Sequence, residues 1–163
     1  VTGAAGERNK AALLSREFKV PPPVVTLAAG IPTFVRNGLP VQIVPGLTVS
    51  GSRVGGGTLV VVINSVKTGN VQLDVLDDRG LNVLGTVTRS STSGKRITTV
   101  ALHSATTAEE IQAALRTLTF STSKAGLRFT NRQVRIQLTD HAGRVGEVVL
   151  QSVYVRRATS SLG

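Results

Sequence analysis

From Val24 to Val155 the apolar residues come in short runs, many alternating with polar ones, and the runs stop at glycine, proline or Asx turns. A period of two with frequent breaks marks strands joined by tight turns. Val24 to Leu27 forms a first strand, closed by Gly30 and Pro32, and Thr33 to Val35 starts a second before Asn37-Gly38. Val41 to Val44 stops at Pro45-Gly46, and Leu47 to Val49 follows. Gly51 to Gly57 reads as a flexible, glycine-rich loop. Leu59 to Ile63 is continuously apolar, which predicts a central strand buried on both faces. Val71, Leu73 and Val75 alternate with Gln72 and Asp74, so the valines and leucine are expected to face the core. Asp77-Asp78-Arg79-Gly80 reads as a turn, with Leu81 to Thr88 returning as the second arm of a hairpin. Ser90 to Gly94 is another turn, followed by a strand from Ile97 to Leu102. Val134, Ile136 and Leu138 alternate with Gln133, Arg135 and Gln137, then Asp140 to Gly143 turns the chain into a last strand, Glu147 to Val155.

A single helix interrupts this pattern. Thr107-Ala108-Glu109-Glu110 is a capping box, in which the threonine hydroxyl accepts from the Glu110 amide and the Glu110 carboxylate reaches back. Both acids lie at the positive end of the helix dipole. Ile111, Ala114, Leu115 and Leu118 follow at helical spacing and are expected to lie on the sheet. The pattern therefore predicts an all-β chain, an antiparallel β-sandwich of about eight strands with one short helix near 108–117. Residues 1–20 read as an N-terminal leader, arm or linker, 21–156 as one module and 157–163 as a polar tail. Within 1–20, Ala11, Leu14 and Phe18 could form an amphipathic turn, with a docking helix as the alternative, before Pro21-Pro22-Pro23 imposes an extended path. The opening residues lack an initiating Met and the apolar core of a signal peptide, and read as a processed chain or an excised piece.

Several chemistries are disfavoured. There is no cysteine, which removes disulfides, thiolate metal sites and cysteine nucleophiles. His103 and His141 lie far apart in sequence, no Gly-x-Ser-x-Gly elbow is present, and Gly55-Gly56-Gly57 leads into a strand without a following Lys-Ser/Thr. An enzyme is not expected. No apolar run reaches the ~18 residues that span a bilayer. Charge is the extreme property: 19 basic residues against 9 acidic ones give a net charge of +10. Such a balance favours anionic partners, although the basic residues are dispersed, as in a sheet with charged outward positions. Lys124, Arg128, Arg132 and Arg135 are the candidate anion-binding stripe. With five aromatics in the chain, specific nucleic-acid recognition is not expected.

The order of elements resembles the cadherin-like, immunoglobulin-like tandem modules of large bacterial surface and secreted proteins, including giant adhesins. The stretches that carry the resemblance are PPPVVTL (Pro21 to Leu27), TFVRNGLPVQI (Thr33 to Ile43), GLTVSG (Gly46 to Gly51), TAEEIQAALRTLTF (Thr107 to Phe120) and NRQVRIQLTDHAG (Asn131 to Gly143). It covers about Pro21 to Val155 and implies a cadherin/Ig-like sandwich at an extracellular or cell-surface location. Such modules often hold calcium with acids at the domain junction. Here the expected acids are Arg36 and the stretch Gly51-Ser52-Arg53-Val54, and only Asp140 keeps a carboxylate. The departure implies no calcium and no other cofactor, with an ion pair of Arg36 or Arg53 to Asp140 standing in for the metal. Asp74, Asp77 and Asp78 are a second candidate cation position, set against an ordinary solvated turn, which is preferred. The expected function is a non-enzymatic structural or adhesive module of a larger surface protein, a spacer or link whose partners are neighbouring modules. The alternatives are a basic module that binds acidic polysaccharide or nucleic acid, and a self-assembling coat, surface-layer or decoration subunit with an N-terminal arm.

Overall fold

The computed structural model describes residues 20–35, 38–65, 74–92, 94–123 and 130–156. These residues are mostly strand. In chain order they form β1 (Val24–Thr26), β2 (Thr33–Val35), β3 (Val41–Gln42), β4 (Thr48–Ser50), β5 (Thr58–Ser65) and β6 (Asp74–Asp77). A 3₁₀ helix (Arg79–Leu84), β7 (Gly85–Thr92), β8 (Lys95–Leu102), α1 (Ala108–Arg116), β9 (Thr119–Thr122), β10 (Thr130–Thr139) and β11 (Val149–Arg156) complete the set. The strands make a six-stranded sheet in the order β2-β11-β10-β5-β8-β7, a three-stranded sheet β3-β9-β6 and a two-stranded ribbon β1-β4. The larger sheet is antiparallel except at one edge, where β2 runs parallel to β11.

Alternation works as expected in β10, where Val134, Ile136 and Leu138 are fully buried. Their neighbours across the ladder, Ile63, Val61 and Leu59 on β5, are buried with them. The core lies between this inner face and the smaller sheet. Phe34 of β2 meets Phe120 of β9 edge-to-face at 5.8 Å, joining the two sheets at one side.

Several expectations need correction. The described strands number eleven rather than about eight, because strand-like segments were broken into short pieces by turns. The hairpin from Asp77 into Leu81 to Thr88 does not form. Leu81 and Leu84 instead point together from one 3₁₀ turn into the core, where the i, i+3 positions eclipse. As a result β7 pairs with β8, and β6 pairs with β9. In β6 the expected facing is reversed: Asp74 and Leu76 are buried and Val75 is 55% exposed. β5 is central but not buried on both sides, since Val60 and Val62 are only half-buried. The helix packs on the 3₁₀ helix and β4 rather than across the large sheet. Gln112 on α1 accepts from the Val49 amide at 3.0 Å.

The helix cap matches its sequence signature in one half. The Thr107 hydroxyl accepts from the Glu110 amide at 3.2 Å, and that hydroxyl, rather than a backbone amide, donates to the Glu110 carboxylate at 3.1 Å. The glycine loop 51–57 is tied down rather than loose. The Gly56 amide donates to the His103 carbonyl, the Gly57 amide to the Val54 carbonyl, and the Gly57 carbonyl accepts from Leu102. A side chain at Gly57 would collide with the Thr139 carbonyl, so this position needs glycine for close backbone approach.

Candidate functional site

Each described aspartate is claimed by an arginine. Asp74 on β6 is buried against Arg132 on β10: Arg132 Nη2 donates to Oδ1 at 3.0 Å and Nε to Oδ2 at 2.5 Å. Arg96 of β8 donates to the Asp74 carbonyl at 2.6 Å. The pair therefore bridges the two sheets inside the core, which explains the reversed facing of β6. Asp77 accepts from Arg79, whose side chain and then backbone amide hold its carboxyl below the ordinary carboxylate value. Asp78 accepts from Arg89 at 2.9 Å and from the Thr98 hydroxyl at 2.7 Å. The three acids proposed as a cation position thus point to three different guanidinium groups. Among the described residues no three His, Cys, Asp or Glu side chains cluster.

The loops around Arg53 and Asp140 are linked differently from the expected ion pair. Asp140 is buried, and its partner is Arg144: Nε donates at 2.7 Å and the backbone amide at 2.9 Å, with the Ala142 amide adding a third donor at 2.9 Å. Burial alone would raise this carboxyl, but the Arg144 amide and guanidinium, with the Ala142 amide, bring it below its ordinary value. Arg53 contributes its backbone, since its carbonyl accepts from the His141 amide at 2.9 Å. Its φ is 58°, and its side chain forms no ion pair with Asp140. Arg36 lies outside the described residues. His103 and His141 both border Gly56, which sequence distance had not suggested. Both are exposed, and the acid beside them is committed to Arg144.

The anion-binding stripe also comes apart. Lys124 and Arg128 lie outside the described residues. Arg132 and Arg135 are three apart on one strand, so they point to opposite faces, Arg132 into the core and Arg135 outward. The basic surface forms elsewhere, on the outer face of the six-stranded sheet. There Val60 and Val62 of β5 floor a groove of about 350 Å³, with Lys95 and Ile97 of β8 on one side and Arg135 of β10 on the other, backed by Leu150. Val62 stands opposite both Ile97 and Arg135 in the ladder, and Arg135 stands opposite Leu150. By alternation Arg156 shares this face, and no described strand residue on it is Asp or Glu. A strand read as beginning at Ile97 leaves out Lys95, which stands two residues earlier on the same side.

A second groove, of about 390 Å³, lies between the segment from Leu27 to Pro32 and the segment from Val41 to Leu47. Its lining carries no charged side chain. No helix among the described residues is long and apolar enough to cross a membrane. Compared with known proteins, the sequence matches no family model and no curated protein.

Proposed function

We propose that the chain is a non-enzymatic structural or adhesive module of a larger extracellular or cell-surface protein, a spacer or link between other regions. The fold is read as a cadherin/Ig-like sandwich on the sequence resemblance, with the β-rich architecture as its support. The observation that carries the functional reading is the path of the chain. Pro23 packs against Gly51 and Gly146, at the end of the large sheet that holds the loop 51–57 and the turn 140–143. β11 then runs the length of the sheet and finishes at Arg156, beside Val35, at the opposite end. Eight strand residues cover about 26 Å. A module approached at one end and left at the other transmits length and force along its strands.

The test is scattering from one, two and three copies joined through Pro21 to Pro23. The maximum dimension is expected to rise by a constant step per copy, and modules that fold back on one another would sink the spacer reading. A second reading, a module that binds an acidic polymer, is favoured by an outer face that carries Lys95, Arg135 and Arg156 and no Asp or Glu among its described strand residues. Retention on heparin well above physiological salt, lost on Arg135→Glu, is the result it requires.

A further inference from the structure

We infer that the outer-face groove along β5 is a docking site for an amphipathic helix of a partner protein, with an apolar stripe flanked by Asp and Glu. This goes beyond the spacer reading and can fail without it. The floor and walls decide the shape of the occupant. β8, β5 and β10 are paired to one another on both sides, so their backbone groups are spent and no strand can be added here. The occupant must pack side chains on side chains. Two strand spacings separate β8 from β10, about 9–10 Å, just under the about 10–12 Å width of a helix with its side chains. A helix of about 18 residues spans about 27 Å, the length of the eight-residue β5.

Chemistry decides its character. Val60, Val62 and Ile97 are half-buried and Leu150 is 52% exposed, an apolar strip that sugar or phosphate would leave wet. Lys95 and Arg135 stand on opposite sides of that strip and are exposed, with no carboxylate partner among the described residues. A helix whose apolar ridge enters the groove therefore places its two borders against the two cations, and carboxylates on those borders complete the pairs. The chain's own helix does not suit the groove, because the apolar side of α1 is already buried through Ile111 and Leu115. The stretch Glu7 to Lys19 carries more basic than acidic residues and would meet Lys95 and Arg135 unfavourably.

The test uses the 163-residue chain and two labelled helical peptides of about 18 residues with the same leucine stripe, one flanked by Glu and one by Lys. Fluorescence anisotropy is expected to show saturable binding of the Glu-flanked peptide and at least about tenfold weaker binding of the Lys-flanked one. The double variant Lys95→Glu with Arg135→Glu should invert that preference, and Leu150→Asp should weaken both peptides while urea unfolding stays near that of the parent. Equal binding of the two peptides, or binding unchanged in the double variant, overturns the proposal. So does a result in which heparin fragments or duplex DNA bind through Lys95 and Arg135 and the Glu-flanked peptide does not. Scattering from tandem copies reads the spacer function separately, so the two can be told apart.

Discussion

Replacing Asp74 by alanine leaves the Arg132 guanidinium charged in the core, where its side chain is 1% exposed. Losing one partner of a buried pair costs about 3–5 kcal/mol, far more than the pair itself contributes. Asp74→Ala is expected to lower stability by about that amount in urea unfolding, whereas the double change Asp74→Leu with Arg132→Met should recover most of it. A single-variant loss below about 1 kcal/mol would mean that water or the guanidinium's other hydrogen-bond partners, such as the Asn131 carbonyl, compensate the charge. Assigning Arg132 to an anion-binding stripe overlooked the alternation that, read back from Val134, puts it on the core side, where an arginine asks for a buried acid. Which acid answers was not legible, because Asp74 is 58 residues away on another sheet. Asp140 carries a pH prediction. Its folded carboxyl titrates below the unfolded value of about 3.9, so its contribution is present above that value and is lost as pH falls through the folded one. Asp140→Asn should therefore lower the melting temperature near neutrality, with the gap to the parent closing on acidification. A gap that stays constant down to about pH 2 would assign the effect to something other than this titration.

At the scale of elements, the nine-residue α1 is too short to persist alone and depends on its cap and its packing. Thr107→Ala is expected to cost about 1 kcal/mol in unfolding, and Thr107→Asn only a few tenths, since Asn caps as well. An equal loss for both would show that the hydroxyl's tie to Glu110 matters more than the cap. The helix was readable because a capping box and a 3.6-residue stripe are local signals. The 3₁₀ helix was not, because Leu81 and Leu84 flanked by turn residues look like the start of a strand until the core claims both. Polarity in β6 failed for a related reason. The pattern counted apolar residues, whereas the structure buries a charge at Asp74 and leaves Val75 out.

For the whole molecule, each described aspartate is held by an arginine. Asp140 is filled by three donors and Asp74, Asp77 and Asp78 each face a guanidinium, so adding calcium is expected to leave the melting temperature unchanged. A rise of several degrees would place an ion at one of these carboxylates despite those pairs. The same excess of arginine leaves one sheet face basic, with no Asp or Glu among its described strand residues. That property depends on which strands are neighbours, and it is the ground for the docking proposal.

Period, turn residues and a local cap settled from the sequence that the chain is mostly β with a short helix after Thr107, since each of these acts over a few neighbouring residues. Tertiary structure alone decided the strand order, the arginine partner of each described aspartate and the composition of the outer face. Those depend on residues tens of positions apart meeting across a ladder or between sheets, and a periodic pattern carries no record of such meetings.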